Sequence, residues 1–365
     1  MKTASLLSVL ALIMLLTCMK AADADKNLAK IDSLFHDFDR PDVPGASVMV
    51  IQNGKVLLAK SYGLADLENK IPSAPKVNYR LASVTKQFTA MAIMMLVDAG
   101  KMSFDDPITK FFPEFPAYGK RITVRHLLNH TSGLIDYEDI IPQGTTLPVL
   151  DINALRLLQQ QDHTYFSPGS QFRYSNTGYA FLALIVEKVS GQTFAAFLWD
   201  KIFKPLGMEQ TLAYESGISI VSNRAYGYTE QKGGGFIKTD QSLTSSVLGD
   251  GGVYSSVSDL YKWDQALYTT KLVSKKILAQ AFTPGKSTLH EKDLCYGFGW
   301  FISEYRGLRK IWHYGSTVGF SPRLERFPER KFTVIILANR NDAPLAELPE
   351  RIADIYLFDS RPAGK

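Results

Sequence analysis

Ser83-Val84-Thr85-Lys86 sets a hydroxyl and an amine three residues apart at the head of an apolar run, Gln87 to Ala99. On a helix that spacing puts both groups on one face, one turn apart. The positive end of the helix macrodipole then lies at the serine. A lysine desolvated there can lose its proton and act as base to the hydroxyl, which is the chemistry of a serine nucleophile. Ser73-Ala74-Pro75-Lys76 repeats the spacing, but Pro75 and its aperiodic flank do not support a helix presenting both groups. Tyr174-Ser175-Asn176 precedes a second apolar run that starts at Thr177. A phenol beside a cationic lysine has its phenolate favoured and can shuttle protons. The Asn176 amide can anchor the lysine or a substrate carbonyl, while Ser and Asn at this point also read as a helix cap. His313-Tyr314-Gly315-Ser316 closes an apolar strand. A donor residue followed two later by glycine lets a substrate backbone lie close against that strand. Lys232-Gly233-Gly234 is a rival for this element, but its glycine run with polar flanks reads as a hairpin loop.

Other patterns carry less. There is no Gly-x-Ser-x-Gly elbow and no His-Glu-x-x-His, which argues against an α/β-hydrolase and a zincin. His126 and His130 stand at helical i, i+4 spacing, one face of a helix ending at Thr131-Ser132-Gly133, with no acid placed as a base. They read as hydrogen-bonded structural residues, and no metal is expected. Pro284-Gly285-Lys286-Ser287-Thr288 mimics the end of a phosphate loop, but position 280 is Gln280 where that loop needs glycine. It reads as a surface turn. Cys295 sits in an apolar run and reads as buried and inert. With Cys18 as the only other cysteine, at the N-terminus, no internal disulfide is expected.

The elements that must position these groups follow from periodicity. Residues 25–38 read as a helix with Leu28, Ile31, Leu34 and Phe35 on one face. Residues 45–52 and 55–61 alternate around Asn53-Gly54, a two-residue hairpin signal. Helical patterns then run over 84–99, 123–129, 151–161, 176–190 and 193–203. Strand patterns follow over 297–303, 310–313, 318–327 and 332–338, with a last helix over 344–358. This order is α+β: an antiparallel sheet flanked by the terminal helices, plus a mostly helical lobe, with a cleft between them. The loops over 134–148 and 222–249 would choose the substrate, and Tyr137 and Asp250 are candidate cleft residues.

Composition agrees. The chain has 365 residues, 45% hydrophobic and 21% charged, average for a globular protein and not for a disordered or polytopic membrane chain. Its 41 Lys and Arg against 36 Asp and Glu give a formal charge of +5, too weak and too mixed for a nucleic-acid partner. Lys2 and the apolar run Leu6 to Leu16 read as a signal peptide over residues 1–24, cleaved near Ala22-Asp23-Ala24. Leu15-Leu16-Thr17-Cys18 offers the alternative of a lipoprotein signal with a lipid anchor at Cys18. Either exit predicts an exported protein, periplasmic or extracellular, whose residues 25–365 form one domain of two lobes.

Ser83, Tyr174 and His313 occur in that order, 91 and 139 residues apart. With His126–Leu134, Gly251–Ser256 and Gly319-Phe320, this trio resembles the penicillin-recognising serine hydrolases: class C-type β-lactamases, D-alanyl-D-alanine carboxypeptidases and their esterase relatives. The resemblance implies the β-lactamase/transpeptidase-like fold. It implies Ser83 as the acylated nucleophile, Lys86 as its base, and Tyr174 as proton relay and activator of the deacylating water. Asn176 would orient Lys86 and the substrate amide. His313, Gly315 and Ser316 would bind substrate, the Ser83 and Ser316 N–H groups forming an oxyanion hole. It implies a small-molecule or peptide substrate and no cofactor; oligomeric state has no signature in the sequence. His313 stands where lactamases usually carry lysine, and Tyr314 where the family often has threonine. Both changes weaken a carboxylate clamp. They favour a carboxypeptidase-like enzyme on D-amino-acid peptides, with esterase or β-lactamase on the same scaffold as the alternative. A non-catalytic penicillin- or peptidoglycan-binding protein is a second alternative.

Overall fold

Seven antiparallel strands make the main sheet: β1 (Ala46–Gln52), β2 (Lys55–Tyr62), β3 (Cys295–Tyr296), β4 (Phe301–Tyr305), β5 (Leu308–Tyr314), β6 (Ser321–Phe327) and β7 (Phe332–Ala338). The computed structural model describes residues 25–288, 293–341 and 343–359. The expected signal peptide over residues 1–24, with Cys18, lies outside the described residues. The spatial order is β3-β4-β5-β6-β7-β1-β2. β1 and β2 turn at Asn53-Gly54, both at positive φ, as a two-residue hairpin of matching twist requires. β7 pairs β1 from Ala338 opposite Ala46 to Phe332 opposite Gln52, so the two ends of the chain close one sheet.

Alternation assigns each face. On one face Val48, Val50, Val334 and Ile336 pack with Ile31 and Phe35 at the end of helix α1 (25–34), and with Ile352 of the C-terminal helix. On the other face Met49, Ile51, Ile335 and Leu337 join a larger core with α2 (Lys86–Asp98). α2 is apolar nearly all round and buried nearly all round, as expected of a central helix. Around it pack α3 (Val124–Leu128), α4 (Asp151–Gln159), α5 (Asn176–Ser190) and α6 (Val257–Ala266). The C-terminal helix α7 spans Leu348–Ala353.

Several expected elements differ. The strand over 297–303 is broken: Phe298 and Trp300 both turn into the helical core, and the Gly297 N–H closes a turn on the Trp300 carbonyl at 2.8 Å. β6 starts at Ser321 because Thr317 to Phe320 form a turn first. α3 stops at Leu128, and His130 adopts φ 56°, so His126 and His130 do not share a helix face. The insert is less helical than its pattern suggests, with Tyr79–Arg80, Leu212–Ala213 and Val253–Ser255 forming a small sheet. Lys232 to Gly234 do form the tip of a hairpin, between Tyr228–Glu230 and Phe236–Lys238. Cys295 is half-buried on edge strand β3, not fully buried as expected. Burial pushes its thiol up, against reactivity.

Candidate active site

Ser83 sits on a 3₁₀ turn, Ala82–Thr85, that runs directly into α2. Ala82 at the start of that turn has φ 43°, a strained value for a residue with a side chain. The strain is held by close packing from both sides. The Gly315 N–H bonds the Pro322 carbonyl at 2.8 Å. A methyl at Gly315 would lie 2.6 Å from the Leu81 carbonyl and 2.9 Å from Ala82 Cβ. The glycine after His313 therefore lets β5 approach the nucleophile's own backbone. This is a different use from the substrate approach read from sequence.

Lys86, the first residue of α2, is fully buried. Its Nζ donates to Ser83 Oγ at 2.9 Å, Asn176 Oδ1 at 2.9 Å and the Asp250 carbonyl at 2.8 Å. Two of these partners, the amide oxygen and the carbonyl, only accept. A neutral amine has two hydrogens, and both must go to them. Its lone pair is then left facing the Ser83 hydroxyl. Burial draws the Lys86 pKa down toward that neutral form, opposed by the charges of Asp250, Asp136 and Glu138. Burial in turn raises Asp250, opposed by Lys86. The Asp250 carboxyl accepts from the Tyr137 hydroxyl at 2.9 Å.

Asn176 opens α5, and Ser175 caps it, accepting from the Gly178 N–H at 3.4 Å. Ser175 is the cap, and its neighbours Tyr174 and Asn176 are turned to Lys86. The Tyr174 ring lies 4.9 Å from Lys86 Nζ. Its hydroxyl is buried without a hydrogen-bond partner among the described residues. Burial pushes the phenol well above its usual range, the Ser83 hydroxyl working the other way. The expectation of a favoured phenolate is corrected: with Lys86 itself drawn toward neutrality, no cation offsets the burial, and Tyr174 rests as a phenol.

His313 is the second correction. It is 1% exposed and does not line the cleft. Nδ1 lies 2.6 Å from the Tyr314 carbonyl and Nε2 2.9 Å from the Tyr296 hydroxyl. The carbonyl can only accept, so Nδ1 carries the hydrogen and Nε2 accepts from Tyr296. Burial drives its pKa down to about 3, and any positive charge on Lys86 works in the same direction, so the ring is neutral. It cannot clamp a substrate carboxylate. It belongs to an aromatic wall behind Tyr174, with Phe301 at 5.0 Å and Tyr296 at 5.7 Å between ring centroids. His130 supports Tyr174 from the other side at 4.3 Å, its Nδ1 accepting from the Ser175 N–H at 3.1 Å.

A cavity of about 50 Å³ opens over Ser83, with Asn176, Asp250, Tyr137, Ser316 and Thr317 among its walls. Of the sequence candidates it gathers Ser83, Asn176, Asp250, Tyr137 and Ser316, with Lys86 and Tyr174 beneath. Arg80 also borders it, but its guanidinium is committed to the carbonyls of Gly251 and Ser245 and to Gln241. Glu138 in the wall escaped the sequence reading, as did Asp136, which accepts from the Asn176 N–H at 2.8 Å. They stand in a loop with no motif. The available signal was the Asp136 cap of the 3₁₀ turn Tyr137–Ile140. Among the described residues no group of three or more His, Cys, Asp or Glu could hold a metal.

The chain matches the family described as Beta-lactamase over residues 31–357. It is 33% identical over 357 residues to Penicillin-binding protein 4* of Bacillus subtilis (strain 168), covering 92% of this chain and 78% of that protein. It is 28% identical to Protein flp of Staphylococcus aureus (strain MW2), covering 88% of this chain but 65% of that protein's length. Among solved structures, the octameric penicillin-binding protein homologue from Pyrococcus abyssi superposes with a TM-score of 0.81 at 30% identity, covering 90% of this chain and 77% of that one. The D-amino acid amidase from Ochrobactrum anthropi SV3 shares the fold with a TM-score of 0.76 at 24% identity, covering 92% and 97%.

Proposed function

The chain belongs to the beta-lactamase family and is a serine hydrolase of β-lactamase/transpeptidase-like fold, and on that premise we propose that it works through an acyl-enzyme on Ser83. The observation that carries this reading is the Lys86 amine, held by two acceptor-only partners with its third direction on Ser83 Oγ. Ser83 gives its proton to Lys86 as Oγ attacks the substrate acyl carbon. The oxyanion develops toward the N–H groups of Ser83 and Ser316, worth about 3–4 kcal/mol for each donor well placed. The Tyr174 phenol passes its proton to the leaving group and recovers one from the protonated Lys86; water then attacks the ester, gives its proton to the same pair, and Ser83 Oγ leaves with that proton returned to it.

The substrate class is a D-amino-acid peptide or amide. Among the described residues the cleft offers no free cation for a carboxylate, since His313 is neutral and buried and Arg80 is bonded to the chain. Its walls carry the carboxyls of Glu138 and Asp250, with Asp136 nearby, which burial raises and which an ammonium group would draw back to the ionised form. This moves the reading from carboxylate-ended peptides toward substrates that present an amine, and keeps β-lactams and small esters as the alternatives. Relatives named penicillin-binding protein, and a fold shared with an amidase acting on D-amino acids, support the class. Residues 1–24 would export the enzyme.

The test is a parallel assay of D-amino-acid amides, D-alanyl peptides, a chromogenic cephalosporin and p-nitrophenyl esters, with Ser83→Ala as control. Amides bearing a free amino group should exceed their N-acetylated forms in kcat/KM by about tenfold, the worth of one charge-assisted hydrogen bond. Turnover surviving in Ser83→Ala would overturn the acyl-enzyme.

A further inference from the structure

The Asp250 carbonyl under Lys86 belongs to a single helical turn, Leu248–Gly251. That turn feeds the site repeatedly. The Asp250 carbonyl accepts from Lys86 at 2.8 Å, the Gly249 carbonyl from Thr89 Oγ1 at 2.7 Å, and the Asp250 carboxyl from Tyr137 at 2.9 Å. A turn of four residues cannot hold itself in place. Beside the bonds to Thr89, Tyr137 and Arg80, two contacts hold this one from the side of α4 and α5. It is pressed on α5, where a methyl at Gly249 would come within 2.2 Å of the Tyr179 carbonyl. Its free N–H groups are taken by Asp151, the first residue of α4, which accepts from the Leu248 N–H at 2.8 Å and the Gly249 N–H at 3.0 Å. Asp151 is buried, and no cation pairs with it among the described residues.

We propose that Asp151 is a positioning residue: its carboxylate fixes the turn that sets the Asp250 carbonyl under Lys86, so full turnover requires Asp151 ionised. This rests on the reading of Ser83 and Lys86 as nucleophile and base. Only a carboxylate offers an acceptor to both N–H groups without presenting a hydrogen to either. With one N–H released, the turn loses an anchor. The Lys86 amine then loses one of the two acceptors that aim its lone pair at Ser83. The groups facing Asp151 are all acidic: Glu187 from α5, Asp250 from the turn itself, and Glu215 across the adjoining cavity of about 480 Å³. Burial, aided by Glu187, raises the carboxyl to about 7, inside the working range of an enzyme. Activity should therefore climb with pH through two ionisations, those of Asp151 and of the base.

The experiment compares wild type, Asp151→Asn, Asp151→Glu and Glu187→Gln in full-length enzyme. Acylable Ser83 is counted first by intact mass after an activated ester, and kcat is expressed per acylated site. No adduct on wild type would sink the acyl-enzyme reading itself, apart from this inference. Asp151→Asn should lower kcat per site by up to about 100-fold, the scale of a misplacement of about 1 Å, with KM nearly unchanged. Its acid limb should fall from a two-proton to a one-proton slope. Asp151→Glu should recover part of kcat. Glu187→Gln keeps its hydrogen bond to the Phe194 N–H and removes a repelling charge. It should move the acid limb to lower pH with the plateau intact, and it tests the proposal even where Asp151→Asn does not fold. A wild-type slope retained in Asp151→Asn, an unmoved limb in Glu187→Gln, or a loss that lies wholly in the count of acylable sites would overturn it.

Discussion

At the scale of single residues, the site depends on groups left partly unanswered as much as on groups satisfied. Lys86 has a partner for each of its three directions, which makes it rigid. Tyr174 has a buried hydroxyl with none among the described residues. Leaving a buried phenol unpaired costs stability, and removing it costs none. Tyr174→Phe keeps the ring that packs on His130 and stacks on Phe301. Its unfolding free energy should therefore stay within about 0.5 kcal/mol of wild type, or rise. The proton relay is lost, and kcat should fall by about 10²–10⁴. Denaturant melts alongside single-turnover kinetics will check both halves. A variant that stays active would remove Tyr174 from the mechanism, and one that unfolds would mean the hydroxyl has a structural partner. His313 gives the complementary case: the same aromatic wall that supports Tyr174 has absorbed the residue expected to meet substrate.

At the scale of elements, the approach of β5 to the 3₁₀ turn of Ser83 sets the geometry of the nucleophile. Gly315→Ala puts a methyl 2.6 Å from the Leu81 carbonyl and 2.7 Å from Pro322 Cγ. Neither can yield easily, since one is backbone and the other is fixed in β6. Overpacking of this kind costs about 1–3 kcal/mol. The displaced strand carries Ser316 away from Ser83, so acylation should slow further than the lost stability explains. Stopped-flow acylation rates compared with urea midpoints would separate the two. Equal, small losses in both would mean the strand relaxes without moving the site. The same elements show what local pattern carries. α5 runs Asn176 to Ser190 and β7 runs Phe332 to Ala338, both at their expected bounds, because continuous apolar runs and a Ser cap are local signals. The Ser-x-x-Lys pair was legible for the same reason. The break after Tyr296, the left-handed His130 and the burial of His313 are set by side chains that arrive from elsewhere in the chain. Glu138 and Asp136 carry no local pattern, and only the folded loop brings them to Ser83.

At the scale of the whole molecule, Ser83, Asn176, Asp250 and Ser316 meet only because the helices dock on the sheet in one register. A buried ion pair crosses that junction. Asp264, on α6, accepts from Arg326 Nε of β6 at 2.7 Å and from Thr333 Oγ1 of β7 at 2.9 Å, and both charged groups are almost fully buried. One residue back, Trp263 Nε1 donates to Gln87 at 2.9 Å, next to Lys86. The junction thus links the sheet to the base of the site. Buried pairs add little net stability, but halving one leaves an uncompensated charge. Asp264→Ala should therefore cost about 3–5 kcal/mol, whereas Asp264→Leu with Arg326→Met should recover most of it. Urea unfolding of the two variants gives the comparison, with an unchanged m-value as the sign that both still unfold as wild type does. If the pair acts only as a docking clamp, the double variant regains kcat along with stability. If its charge is what fixes the register of α6, the double variant regains stability while kcat stays low, because Trp263 and Gln87 no longer hold Lys86 in place. A single variant as stable as wild type would mean that apolar packing alone docks the helices.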